Sequence, residues 1–574
     1  MNLQPIYTET NDCKDCYKCV RECPNKAIKV TDNKASVIDS MCVYCGKCVS
    51  ICPSNAKKVR DGVARTKLLI KNKKEVYVSL APSYIAEYGN KADSLILALK
   101  KLGFAGISET ALGAQEVSKQ VHQFLNFRQS GTYISSACPV VVELVRKYYP
   151  QHTLAITPFM SPMLTHAKQL RKWYGNDIGV VFIGPCIGKK SEADSASHCV
   201  DIALTFKELN NWLEREKISL NDHHASEEEL FIPHKAQHGT IYPIDGGMIE
   251  TINKDEPVTK AEYMCFSGLK NIRNILDNLD SESNEGVVFL ELLACETGCI
   301  NGPGMSEQKI SIKNQLALRN ICRKRTNEEI KPNVGEGTFN IERDFFNIKS
   351  IDKKTFSESK IKEALHTIGK TEISDELNCG GCGYDSCRDF AKAMLMKHAE
   401  SDMCVSHMRK VAHHKATILL QKIPSGVIVL DDEYKVVEMN AACARLLGED
   451  IQLCYDANPG MKGAHIDKIG SFATIFKTAL LTGKEYYEIP ITEYGKQLQL
   501  SIFNIQKHKL VTGIIQGMAQ PEFQKDIIEK RTREVINKNM ETVQKIAFLL
   551  GENASYTDSL LNSILETQEK THAE

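Results

Sequence analysis

Glu291-Leu-Leu-Ala-Cys295-Glu-Thr-Gly298-Cys299-Ile-Asn-Gly302-Pro-Gly304 follows the apolar run Val287-Val-Phe-Leu290. The run reads as a buried strand and the segment after it as a glycine-rich loop. Cys295 and Cys299 are close enough in sequence to face one metal assembly. The three glycines let backbone pass a bulky inorganic group without a Cβ clash. Alone, this C-x3-C pattern is balanced between a metal site and a pair of structural cysteines. Two further cysteines tip the balance: Ser135-Ser-Ala137-Cys138-Pro139 and Gly184-Pro-Cys186-Ile-Gly-Lys189-Lys190. Each follows a β-rich segment (132–134 and 180–183), where strand ends present site residues. Four thiolates from three loops can hold one iron–sulfur cube.

Outward toward the N-terminus, one run occurs twice. Cys13-x2-Cys16-x2-Cys19-x3-Cys23-Pro24 returns as Cys42-x2-Cys45-x2-Cys48-x3-Cys52-Pro53. This is bacterial two-cluster ferredoxin spacing, in which the fourth cysteine of each run serves the other cluster. The expected 4Fe-4S ligand sets are Cys13, Cys16, Cys19 with Cys52, and Cys42, Cys45, Cys48 with Cys23. Zinc is a poor rival for a repeated run of this kind. Residues 1–62 are therefore expected to conduct electrons.

The three central loops resemble, in order, spacing and following residues, the active-site signatures of the FeFe hydrogenases. With the ferredoxin runs, the resemblance extends over residues 1–355. It implies that Cys138, Cys186, Cys295 and Cys299 bind a 4Fe-4S cluster. Cys299 would bridge to a two-iron subcluster carrying CO, cyanide and a bridging dithiolate amine, the whole forming an H-cluster. It further implies that Lys189 hydrogen-bonds one cyanide and that Pro82 and Ser83 contact the other. Glu291 would stand on a proton path. The chain departs from the family at defined positions. Catalytic members carry a proton-relaying cysteine immediately before the first ligand; here it is Ala137, whose methyl cannot carry a proton. Gly184 and Leu293 replace methionines, and the later Gly-Gly-Gly-Gln reads Gly302-Pro-Gly-Met305. Such a shortened relay should slow turnover while leaving ligand binding intact, a pattern similar to the sensory, PAS-containing branch.

In residues 63–355, β-branched runs alternate with helical patterns at 92–102 and 113–128, which predicts α/β architecture around a largely parallel sheet. Glu143, His152, His166 and His198 are polar candidates for which surface or satisfied core roles are expected. Residues 222–229 read as a solvated loop. In residues 356–415, Cys379-Gly-Gly-Cys382-x4-Cys387 and then Cys404 resemble a single 4Fe-4S module, with zinc as the rival. From its place in the chain this third extra cluster is expected on the side away from the ferredoxin. His398, His407, His413 and His414 read as helix-surface residues. Residues 416–522 resemble a PAS domain, opening at Ile423-Pro-Ser-Gly-Val-Ile-Val-Leu-Asp-Asp432, with later strands at 485–491, 497–505 and 510–518 alternating as half-buried strands should. Cys443, Cys454 and His465 are its candidate ligand contacts, against a cofactor-free relay. In residues 523–574, Ile536, Met540, Val543, Ala547, Leu550, Ala554, Leu561 and Ile564 keep a 4-3 spacing that argues a coiled-coil helix and a homodimer.

The fold class expected is thus multidomain α/β: ferredoxin-like 2x4Fe-4S domain, H-cluster domain, small 4Fe-4S module, PAS domain and coiled coil. Among 574 residues, 72 basic balance 72 acidic ones, so the charge offers no case for nucleic acid or an anionic membrane. Without an N-terminal signal pattern, 21 cysteines point to metal thiolates in a reducing cytoplasm rather than disulfides. Three readings follow. The first is a slow dihydrogen-sensing FeFe hydrogenase with dihydrogen and protons as substrates and a redox partner, kinase or phosphatase downstream. The second is a metabolic, ferredoxin-linked hydrogenase. The third is an iron–sulfur redox sensor without the two-iron subcluster.

Overall fold

Each cysteine run becomes a short loop that closes into one helical turn and a strand. The turns are Lys18–Glu22 and Lys47–Ile51, each entered through a left-handed residue, Tyr17 and Gly46. The strands pair as two antiparallel ribbons, Ile6–Thr8 with Lys57–Val59 and Ile28–Thr31 with Lys34–Val37. The computed structural model describes residues 4–220, 231–254, 257–258, 260–279, 285–307, 312–327, 339–345, 350–351 and 354–517. The chain divides into two units, Met1–Met408 and Arg409–Glu574.

The sequence predicts one largely parallel sheet after the ferredoxin-like part, and the structure has two. One orders Gly106–Glu109, Val76–Leu80, Gly179–Gly184 and Ile202–Thr205; the other orders Ala261–Ser267, Val287–Leu293 and Gly131–Ile134. Every pairing in both is parallel. The unforeseen strands are short or interrupted by polar residues, such as Ser108, Glu109 and Glu262, and their partners decide their state. The strand expected to end at Leu290 runs on to Leu293. It pairs along its whole length with 261–267, Cys265 opposite Glu291 and Ser267 opposite Leu293. Glu291 is therefore a strand residue, not a loop residue.

The helix Pro139–Tyr148 leaves Cys138 and ends against the ferredoxin-like part. There Lys147 Nζ donates to the Cys42 carbonyl at 2.7 Å and the Tyr148 hydroxyl to the Met41 carbonyl at 2.7 Å. On another face, Tyr84 and Arg325 enclose the buried Glu109 carboxylate: Arg325 contacts both oxygens at 2.9 and 3.1 Å, and Tyr84 donates at 3.0 Å.

The segment bearing Cys379 to Cys404 corrects the expectation from chain order. It does not lie away from the ferredoxin; it shares one apolar core with it, in which Tyr384, Phe390 and Met403 join Ile6, Val20 and Ile28. Backbone contacts fix the join. Lys26 donates to the Gly383 carbonyl at 2.6 Å, Val30 N–H to the His398 carbonyl at 2.9 Å, and Asp32 and Asn33 N–H groups to Glu400 at 2.7 and 3.1 Å. Burying Tyr384 and Phe390 is what a small module cannot do alone.

The second unit contains a five-stranded antiparallel sheet, ordered Val436–Met439, Gly426–Asp431, Leu510–Gly517, Lys496–Gln506 and Tyr486–Glu493. Phe472 and Phe476 fill its core, and Gly513 lacks a side chain where a Cβ would come within 2.1 Å of the Phe476 ring. Asn440 ties three elements: its Nδ2 donates to the Leu420 and Ser425 carbonyls, and its Oδ1 accepts from Val427 and Cys443. The heptad segment 536–564 lies outside the described residues, as does the loop 222–229.

Candidate metal centre

The three central loops issue from the carboxyl ends of strands in both parallel sheets, where open α/β folds gather their sites. Cys138 caps the helix Pro139–Tyr148, Cys186 lies between the strand Gly179–Gly184 and the helix Gly188–Ser195, and Cys299 opens a 3-10 turn at Cys299–Asn301. The structure brings the four thiols together. Burial pushes the Cys186 thiol up to about 11 and raises Cys295 and Cys299 as well. The next cause is the thiols' own mutual charge, since Cys295 faces Cys299, Cys186 and Cys138. Buried sulfurs crowded in this way need cations among them to ionise. Among the described residues no trio of Cys, His, Asp or Glu closes on a single metal ion. Four cysteine sulfurs are the donor set that an iron–sulfur cube takes.

The glycines of the third loop serve chiefly to fit protein against protein. Gly298 has φ +91°, and a Cβ there would meet the Pro243 carbonyl oxygen at 2.3 Å. Gly302 and Gly304 press on the Pro185 carbonyl, each with Cβ room of only 2.8 Å, and Gly304 N–H donates to it at 2.7 Å. The second and third loops are thereby locked together.

Around the thiols the polar groups are few. Lys189 Nζ donates to Glu192 Oε2 at 2.7 Å and reaches the Ala137 carbonyl at 3.4 Å. Glu192 is held in turn by Ser161 at 3.0 Å and Arg343 at 3.0 Å. Ser83 is 1% exposed, and its Oγ has no hydrogen-bond partner among the described residues. Pro82 is buried beside it. An orphaned buried hydroxyl at the position expected to touch a cyanide is what an absent ligand would leave, so the residues fit the implied group. Ala137 offers only its methyl. Glu291, 1% exposed, accepts from the N–H groups of Met248 and Ile249 at 3.3 and 3.0 Å. Burial, with help from Asp245, raises its carboxyl to about 7.

The other candidates divide cleanly. Cys23 stands with Cys42, Cys45 and Cys48, and Cys52 with Cys13, Cys16 and Cys19. Cys45 is also the ferredoxin-side thiol that Cys295 faces. Cys379, Cys382, Cys387 and Cys404 line one recess with Tyr384. His166, fully buried, is satisfied by Ser79 at 2.8 Å and Ser108 at 2.9 Å, and burial lowers its pKa to about 3. His152 meets the Leu276 carbonyl, His198 is exposed, and Glu143 pairs with Arg146. Cys443 is buried, Cys454 exposed, and His465 pairs with Asp467, so these three do not converge. Of the residues not foreseen, Glu192 was legible one helical turn after Lys189. Arg343, 151 positions from Glu192, carried no local signal.

Residues 74–303 match the family described as Iron only hydrogenase large subunit, C-terminal domain. Residues 5–53 match the 4Fe-4S dicluster domain, and residues 375–406 match an Fe-S cluster family. Iron hydrogenase 1 of Clostridium pasteurianum is 24% identical over 309 residues, 43% of this chain and 53% of that protein. The chain thus spans about half the length of that relative. The cytosolic Fe-S cluster assembly factor narfl of Danio rerio is 24% identical over 315 residues, 43% of this chain and 76% of that protein. A solved FeFe-hydrogenase of Chlamydomonas reinhardtii aligns at 16% identity over 46% of this chain and 88% of that one, with a TM-score of 0.36. The chain therefore carries an iron-only hydrogenase large-subunit domain preceded by a 4Fe-4S ferredoxin domain. No helix among the described residues is long and apolar enough to cross a membrane.

Proposed function

We propose that this protein is a dihydrogen sensor built on an FeFe-hydrogenase site, turning over slowly and reporting its redox state to its C-terminal part. Cys138, Cys186, Cys295 and Cys299 would hold an H-cluster, which when bound supplies the open iron for heterolytic dihydrogen cleavage. Lys189, steadied by Glu192, would donate toward one cyanide, and Ser83, beside Pro82, toward the other. Ala137 is the observation that carries the reading. The residue immediately before Cys138 carries a methyl where catalytic members carry the relay thiol, while Lys189 and Ser83 are kept. Glu291, with a carboxyl near neutrality, would exchange protons on a slower route.

The crossed cysteine sets would bind two 4Fe-4S clusters, and Cys379, Cys382, Cys387 and Cys404 a third. Cys404 immediately precedes the helix Val405–Lys422, whose end Asn440 grips. That helix offers a direct chain link from a cluster ligand to the antiparallel sheet. The sheet order and flanking helices support a PAS domain there, with a homodimer, a cytoplasmic location and a redox, kinase or phosphatase partner as further parts of the proposal. A ferredoxin-linked metabolic hydrogenase is disfavoured by Ala137. A second reading, an iron–sulfur protein that never receives the two-iron subcluster, is favoured by the likeness to the Fe-S cluster assembly factor.

Infrared spectroscopy of the fully maturated protein, under argon and then dihydrogen, separates these readings. CO and cyanide bands that shift reversibly, with slow turnover in a parallel assay, are expected. Shifting bands with fast turnover would return the metabolic reading. No bands even with the maturation machinery supplied would leave the iron–sulfur reading.

A further inference from the structure

The two ferredoxin runs are alike enough that a difference between them is informative. Cys23-Pro-Asn-Lys-Ala27-Ile28 and Cys52-Pro-Ser-Asn-Ala56-Lys57 occupy equivalent places. Each ends on the residue that opens a strand, Ile28–Thr31 and Lys57–Val59. In the first half that residue is a core isoleucine, 2% exposed. In the second half the same core position holds a lysine, 3% exposed.

An ammonium group taken out of water costs several kcal/mol unless it is compensated. Lys57 Nζ donates to Thr8 Oγ1 at 2.6 Å and to the Ala35 carbonyl at 2.8 Å, both neutral acceptors. Among the described residues it has no carboxylate partner. Lys147, the other buried lysine near these loops, has Glu143 at 3.7 Å. The sulfurs that Lys57 faces come one from each crossed set, Cys19 and Cys48, and would be thiolates once they held a cluster. A charge placed where its repeat mate keeps an aliphatic side chain, between two sites whose bound state is net anionic, has an electrostatic purpose that packing does not supply.

We infer that Lys57 is the internal counter-cation of both ferredoxin clusters, placed to make each easier to reduce. Reduction adds negative charge to a cluster, and a fixed neighbouring cation stabilises that added charge. The inference rests on the two 4Fe-4S assignments, not on the hydrogen chemistry.

The test uses the full-length chain reconstituted with iron and sulfide but without the two-iron subcluster, and follows each ferredoxin signal by electron paramagnetic resonance during a potentiometric titration. Lys57→Ile installs the side chain that the other half already buries, so folding and iron content should hold. Both midpoints should move to more negative potential. Lys57→Arg, which keeps the charge, should leave them near the wild-type values. Thr8→Val, which removes a hydrogen bond but no charge, should do the same. Unshifted midpoints in Lys57→Ile, or equal shifts in Lys57→Ile and Lys57→Arg, would overturn the inference. If Lys57→Ile loses iron, Lys57→Met replaces it under the same criteria. Absence of both signals from the wild-type chain would overturn the cluster assignments themselves, and the inference with them.

Discussion

On the proposed reading, the methyl of Ala137 sets how fast protons would move. A positioned acid or base is commonly worth about 10²–10⁴-fold in rate. Ala137→Cys should raise turnover by on the order of tenfold, short of that range, because other loop residues also differ from the catalytic pattern. Hydrogen evolution with a strong reductant reads the change, and full fast turnover from this one substitution would defeat the view that the whole path is altered. Glu291 makes a second prediction through its raised carboxyl. Below pH 4.5 the group is protonated folded or unfolded, and between 4.5 and about 7 only the folded state keeps the proton. Its favourable contribution is therefore complete below 4.5 and is lost as pH rises through 7, an effect on the order of 3 kcal/mol. Glu291→Gln, neutral throughout, should gain Tm relative to wild type as pH climbs across that window. A constant difference between the two proteins would show that the carboxyl is not perturbed.

Among the elements, those whose residues carry their own instructions were legible. The strands Val76–Leu80 and Gly131–Ile134 are continuous β-rich runs, and the cysteine spacings are a local signal that needs no distant partner to be read. What was not legible depends on distant partners. The strand Val287–Leu293 outruns its apolar stretch because a neighbour extends it through Glu291. The sheet splits in two because 106–109, 202–205 and 261–267 pair where their composition is equivocal. The Glu109 carboxylate is enclosed by Arg325 from 216 positions away, a partner that no local pattern announces. Arg325→Met should leave that carboxylate buried and unpaired, at about 3–5 kcal/mol, measurable as a fall in thermal stability of the first unit. Gly383, at φ +96°, lies so close to Val20 and Arg21 that a Cβ would approach to 2.9 Å. Gly383→Val should loosen the Cys379–Cys404 module from the ferredoxin-like part, and hydrogen exchange at Val30, whose N–H bonds to His398, should rise.

For the whole molecule, the unexpected placement of that module changes the logic of the chain. Its cysteines are the last of the clustered sets in sequence but share a core with the first, so the hydrogenase-like domain is bracketed by elements that meet one another. If the module passes redox state to the C-terminal unit, detection and reporting should separate. Cys404→Ser should leave the infrared response to dihydrogen intact. It should abolish any dihydrogen-dependent change in hydrogen exchange across residues 426–517. Retention of that change would place the reporting route elsewhere.

The helix Pro139–Tyr148 begins after Cys138 and ends with Lys147 and Tyr148 holding the backbone of Cys42 and of the residue before it. Ten helical residues measure about 15 Å. The helix is in effect a ruler, and if the proposed clusters sit at its two ends, tunnelling between them would depend steeply on the length it enforces. Point substitutions along its surface leave that length alone. One inserted residue would lengthen it by about 1.5 Å and turn its far end by about 100°, breaking the grip on Met41 and Cys42 and detuning the electron exchange while every thiol remained in place.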